Sequence, residues 1–95
     1  MDKLQEVLKE NQNVLIDFYA DWCGPCRMLA PVIEEVKAET ADYLKVVKIN
    51  VDDNPEIASQ YGVRSIPTLV FVKDGKVVNQ AVGFRPKKDI LKMVQ

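Results

Sequence analysis

Apolar and polar positions follow two rhythms along this chain. In "KLQEVLKE" (Lys3–Glu10), Leu4, Val7 and Leu8 recur at helical intervals, which predicts a short amphipathic helix. "VLIDFYA" (Val14–Ala20) is a nearly continuous apolar run, the pattern of a strand covered on both faces. From Gly24 to Ala41 the helical rhythm returns in Met28, Leu29, Val32, Ile33 and Val36, with "EEVKAE" as the solvated face. Pro31 falls inside this helix and is expected to kink it, because proline removes a backbone donor. "LKVVKINV" (Leu44–Val51) predicts a second strand. In "DDNPEIASQYG", Asp53 or Asn54 is the candidate N-cap, Pro55 lies near the first helical position, and Gly62 is the stop. "TLVFV" and "KVVNQAVG" flank Asp74-Gly75, a pair that favours a tight hairpin. Pro86 then opens a last helix, "KKDILKMV".

The predicted order is helix, strand, helix, strand, helix, strand, strand, helix. A helical crossover between the first two strands makes them parallel. The last two strands form an antiparallel hairpin. The fold class is therefore α/β, a mixed sheet with helices on both faces. No linker or repeat interrupts the chain, and 95 residues suit one core, so 1–95 is expected to be a single domain.

Composition narrows the function. The chain is 47% apolar and 28% charged, as in an ordinary soluble globular protein. Thirteen basic and 14 acidic residues give a net charge of −1, so there is no broad electrostatic case for nucleic acid or an anionic membrane. No apolar run approaches the roughly 18 residues of a membrane span. The start, "MDKLQEVLKENQN", is polar and amphipathic rather than signal-like. Two cysteines are too few for a disulfide-rich secreted scaffold, so the expected compartment is the cytoplasm.

Those two cysteines carry the candidate chemistry. They sit three apart in "DFYADWCGPCRMLAP", as Cys23-Gly24-Pro25-Cys26, just past a buried strand and at the start of a helix. Open α/β sheets bind ligands at the carboxyl ends of their strands. A helix start adds free amide donors and about half a unit of positive charge, which stabilises a thiolate. Cys23 then attacks a target disulfide, and Cys26 resolves the mixed disulfide and releases the reduced target. Cys26, one turn inside the helix, is expected to be the more buried. Gly24 lets another backbone approach, and Pro25 stiffens the first turn. The alternatives are less economical. A staple across so short a loop constrains the unfolded chain little. A zinc site usually takes four ligands, and the chain has no histidine and no second such pair. An inert buried pair has no reason to cluster at a helix start.

"ADWCGPCRMLAP" resembles the active-site signature of the thioredoxin family, and "YGVRSIPTLVFVKDGKVV" resembles that family's second signature. The likeness runs from about Leu4 to the C-terminus. It implies a thioredoxin fold, a general protein-disulfide reductase, no bound cofactor beyond a redox-active Cys23–Cys26 disulfide, and disulfide-containing client proteins as partners. It also implies electrons from NADPH through a thioredoxin reductase. By the same resemblance Cys23 is the attacking cysteine, Cys26 the resolving one, Asp17 the buried aspartate behind them, Lys48 its neighbouring lysine, and Pro67 a proline after a cis bond. Trp22, Val51, Ser65, Ile66, Val82 and Gly83 fall where the family builds its substrate groove. Tyr19 stands where the family often has tryptophan. The family usually places a strand before its first helix; only Met1–Lys3 precede the helix here, so a four-stranded sheet is expected.

Some of these residues stand out unaided. Asp17 lies among Val14, Leu15, Ile16, Phe18 and Tyr19, where an ionised carboxylate is costly. It is either a proton acceptor for Cys26 or a strand-edge residue pointing to solvent. Lys48 alone reads as a solvated strand face, and Trp22 as a partly exposed wall beside the thiols. Two rival functions share the pattern: an oxidase or isomerase, and a binding scaffold with idle thiols. The Gly-Pro dipeptide resembles that of reducing thioredoxins, whereas oxidising relatives usually carry histidine before the second cysteine. Two lysines, Lys45 and Lys48, on the "LKVVKINV" edge discourage self-pairing, so a monomer is expected.

Overall fold

The structure, a computed structural model, describes residues 2–95. Four helices and four strands follow one another as α1 (Asp2–Glu10), β1 (Asn13–Tyr19), α2 (Gly24–Glu39), β2 (Lys45–Asn50), α3 (Pro55–Gln60), β3 (Thr68–Lys73), β4 (Lys76–Val82) and α4 (Lys87–Met93). Among the described residues the sheet has four strands in the order β2-β1-β3-β4. β1 pairs parallel with β2 and antiparallel with β3, and β3 pairs antiparallel with β4. The mixed sheet expected from the sequence is the one found.

The central position of β1 explains its composition. Its five inner residues are all buried, because helices cover both faces. Val14, Ile16 and Phe18 pack with Leu4 of α1, Ile57 and Ala58 of α3, and Val70 and Val72 of β3. Leu15 turns the other way, to Leu29, Ile33 and Val36 of α2, Leu69 and Phe71 of β3, and Ile90 of α4. Burying one such side chain is worth about 1.5–3 kcal/mol relative to leaving it in water. Asp17 shares the Leu15 face, beneath α2.

Local chemistry fixes the connections. Asp74 (φ 53°) and Gly75 (φ 81°) both occupy the left-handed region, as a two-residue hairpin of the right twist requires. Asn54 rather than Asp53 occupies the N-cap position of α3, although its side chain bonds back to the Asn50 carbonyl and not to the helix, and Gly62 follows the helix end with φ 69°. α2 runs through Pro31, which lies on the exposed face and leaves only the Arg27 carbonyl without its helical donor. Lys87 of α4 pairs with both Glu35 (3.2 Å) and Glu39 of α2, fastening the two helices on the solvent side. Met28, placed on the buried face by sequence, is 64% exposed. The buried stripe is Cys26, Leu29, Ile33 and Val36, and Met28 lies about 100° round the helix from Leu29.

Candidate active site

The disulfide sits where the end of β1 turns into α2. Cys23 has extended backbone and is the N-cap: its Sγ accepts the Cys26 N–H at 3.2 Å. Pro25 lies in the first turn, where its lack of an N–H costs nothing. Cys23 and Cys26 are joined, with their Cα atoms 5.2 Å apart. Both are covered to the same degree, 4% and 5% exposed, which corrects the expectation that Cys26 is the more buried. Position distinguishes them instead. The Cys23 sulfur lies 3.8 Å from the Ile66 carbonyl oxygen, at the outer rim. Cys26 lines a cavity of about 180 Å³ with Tyr19, Ala30 and Lys48.

Gly24 and Pro25 are exposed over the bond, and a Cβ added at Gly24 meets nothing within 4 Å. Packing therefore does not demand glycine there; its smoothness leaves the approach to the sulfurs open. Trp22 is 67% exposed, and its indole N–H donates to Asp52 Oδ2 at 2.8 Å. That bond holds the ring as a wall beside Cys23.

Several of the residues that the resemblance assigns to a groove lie beside the sulfurs. Val51 and Ile66 pack on the cluster of Ala20, Cys23 and Cys26. Trp22, Val51 and Ile66 also line a shallow hollow with Ala58, Val63 and Arg64. The Ile66-Pro67 bond is cis. The Gly83 N–H donates to the Pro67 carbonyl at 2.8 Å, and Val82 stands opposite Thr68. Gly83 needs its residue type, since its φ is 95°. Ser65 is exposed, and its carbonyl accepts from Thr68 Oγ1.

Asp17 is 2% exposed, in mid-strand, so the solvent-facing alternative is excluded. Burial pushes its carboxyl up to about 6 from the ordinary 3.8, and the Lys48 charge opposes the rise. Its Oδ1 is buried without a hydrogen-bond partner. Lys48 stands beside Asp17 in the β1–β2 register, with its ammonium 4.8 Å above the Tyr19 ring. Lys48 is exposed, as a solvated strand face would be, but it also lies close enough for its charge to act on Asp17, and it lines the cavity beside Cys26. Asp52, the Trp22 partner, escaped sequence reasoning; its only signal is a carboxylate just past the end of a parallel strand. Among the described residues no group of three or more Asp, Glu, His or Cys is placed to hold a metal ion. No helix there is long and apolar enough to cross a membrane.

A redox-active disulfide capping a helix, in an apolar rim at the end of a central strand, defines a thiol–disulfide oxidoreductase. The thioredoxin family model matches residues 2–95. Thioredoxin 1 of Synechococcus elongatus is 58% identical over 83 residues, covering 87% of this chain and 78% of its own. Bacillus subtilis thioredoxin is 58% identical over 81 residues, covering 85% and 78%. A mutant thioredoxin from Halobacterium salinarum superposes with a TM-score of 0.93 at 45% identity, over 99% of this chain and 81% of that one. The chain belongs to the thioredoxin family, and it is a protein-disulfide oxidoreductase acting by dithiol–disulfide exchange.

Proposed function

We propose that Cys23 attacks the client disulfide and that Cys26 resolves the intermediate, in the reducing direction. Once the pair is reduced, the Cys23 thiolate sits at the amino end of α2, whose free amides and dipole stabilise the anion. Its sulfur attacks one client sulfur and expels the other as a thiolate. Cys26, giving its proton to Asp17 directly or through water, then attacks Cys23. The client leaves as a dithiol, and the Cys23–Cys26 disulfide forms again. The observation that carries this reading is the Asp17 carboxylate, buried and unpaired on the α2 face with a pKa of about 6, able to take a proton at neutral pH. Lys48 tempers that affinity. Trp22, Val51, Ser65, Ile66, Pro67, Val82 and Gly83 hold an extended client segment across the sulfurs, and Gly24 and Pro25 let it approach.

Electrons come from NADPH through a thioredoxin reductase, and the clients are disulfide-containing proteins. The setting is the cytoplasm, where thiols are kept reduced. The chain works as a monomer and as one domain over 1–95. Two assays test these points. With NADPH and a thioredoxin reductase, the protein should accelerate insulin reduction, and Cys23→Ser should abolish the effect. Unchanged acceleration by Cys23→Ser, or equilibration with glutathione at an oxidase's potential, overturns the reading.

A further inference from the structure

Trp22 is the only tryptophan of the chain, and most of its ring is exposed. Its one donor, the indole N–H, goes to Asp52 Oδ2 at 2.8 Å. Asp52 is itself exposed and lies past the end of β2. A carboxylate on an unfixed loop samples several rotamers, and holding it in one costs entropy. A bond from an exposed ring to such a partner would fix the ring poorly. The backbone of Asp52 has to be held instead.

Asn50 holds it. Its Oδ1 accepts the Asp52 N–H at 2.9 Å, an Asx turn that sets how the loop leaves the strand. The Asn50 carbonyl accepts in turn from the Asn54 backbone N–H at 3.0 Å and from the Asn54 side-chain amide at 3.1 Å. Asn54 stands at the N-cap of α3 yet gives the helix no side-chain bond. Its amide closes the loop on Asn50 instead of capping. The Val51 N–H donates to the Tyr19 carbonyl at 2.8 Å, which carries the sheet pairing one residue beyond β2. The loop is thus anchored to the end of β1 and to the start of α3, with Asp52 between the two anchors.

We propose that Asn50 is a positioning residue for client affinity: its side chain fixes the turn that aims the Asp52 carboxylate at the Trp22 indole. The wall against which a protein client lies is then in place before the client arrives. The inference rests on the reading of Trp22 as part of the client groove. Asn50 acts through Asp52 and takes no part in the exchange of sulfurs. Its loss therefore weakens binding and leaves the chemical step alone, so KM changes and kcat does not.

The test compares Asn50→Ala, which removes the acceptor, with Asn50→Asp, which keeps it. Trp22 gives the only indole signal in a nitrogen-15 spectrum. Asn50→Ala should move that signal and raise the KM for insulin about fivefold, the weight of one hydrogen bond, with kcat unchanged. Single-turnover reduction of the small disulfide dithiobis(nitrobenzoate), which is too short to lie along the groove, should keep its rate. Asn50→Asp should restore the parent KM and indole signal. With Asp52→Ala already in place, Asn50→Ala should change KM no further. Trp22→Ala separates the two claims. If it leaves the insulin KM unchanged, the groove reading fails and takes the affinity role of Asn50 with it. If Trp22→Ala raises KM while Asn50→Ala leaves KM or the indole signal unmoved, the groove stands and the positioning role is overturned. Equal losses with insulin and the small disulfide, or no rescue by Asn50→Asp, overturn it too.

Discussion

Replacing Asp17 by Asn removes a carboxylate that the fold holds at a cost. Its folded pKa of about 6 stands some two units above the ordinary 3.8. Each unit corresponds to about 1.4 kcal/mol, so the ionised group costs the folded state about 3 kcal/mol. The direction follows from proton counting. Between the two pKa values the folded protein holds a proton that the unfolded chain has released. Stability from Asp17 is therefore fullest below pH 3.8, falls as the pH rises towards 6, and stays at its lower level above that. Asn titrates nowhere in this range. Its amide carries its own burial cost, but that cost is the same at every pH and cancels in a comparison. Urea unfolding of both oxidised proteins at pH 4 and pH 7.5 gives the difference directly. Asp17→Asn should gain about 2–3 kcal/mol on the parent between the two conditions. If the two stabilities run parallel with pH, Asp17 is ionised at no cost and the proton-acceptor argument fails with it.

Other outcomes follow from the same geometry. Cys26→Ser should accumulate mixed disulfides between Cys23 and clients, seen as adducts on non-reducing gels, because the resolving sulfur is gone; in the reduced parent, iodoacetamide should label Cys23 before Cys26. Gly75→Ala should cost about 1 kcal/mol in urea unfolding, since a side chain is forced into the left-handed region of the hairpin. Lys87→Gln should lower the melting temperature at low ionic strength and less in high salt. Hydrogen bonds to Glu39 and Glu35 raise the Lys87 pKa, so its contribution holds at neutral pH and is lost on the alkaline side as the pH rises through that raised value.

Much of this architecture is legible in the pattern of residues. Every helix and strand was predicted to within a few residues, because the periods of α2 and β1 differ so plainly and because Asp74-Gly75 and Pro55 punctuate the chain. Met28 misled because it adjoins Leu29 in an apolar cluster, whereas the angle around the helix decides burial. The equal cover of the two cysteines depends on Ile66 and Val51, residues brought over the sulfurs by tertiary folding alone. The burial of Asp17 was readable from its neighbours; its place beside Lys48 required the register of β1 with β2. The wet, apolar character of β4 was hidden for a similar reason: Val77, Val78 and Val82 are all at least half exposed on a strand that ends the sheet.

The middle position of β1 also orders events in time. Among the described strands it leaves the ribosome before its partners β2 and β3, and β3 begins only at Thr68. Until that segment emerges, one side of β1 has no ladder to join, and nascent chains halted before β3 should remain sensitive to protease. Contacts so distant in sequence slow folding relative to a helical bundle of equal size. The two thiols are synthesised before β3, so they meet the cell as accessible sulfurs before Ile66 closes over them.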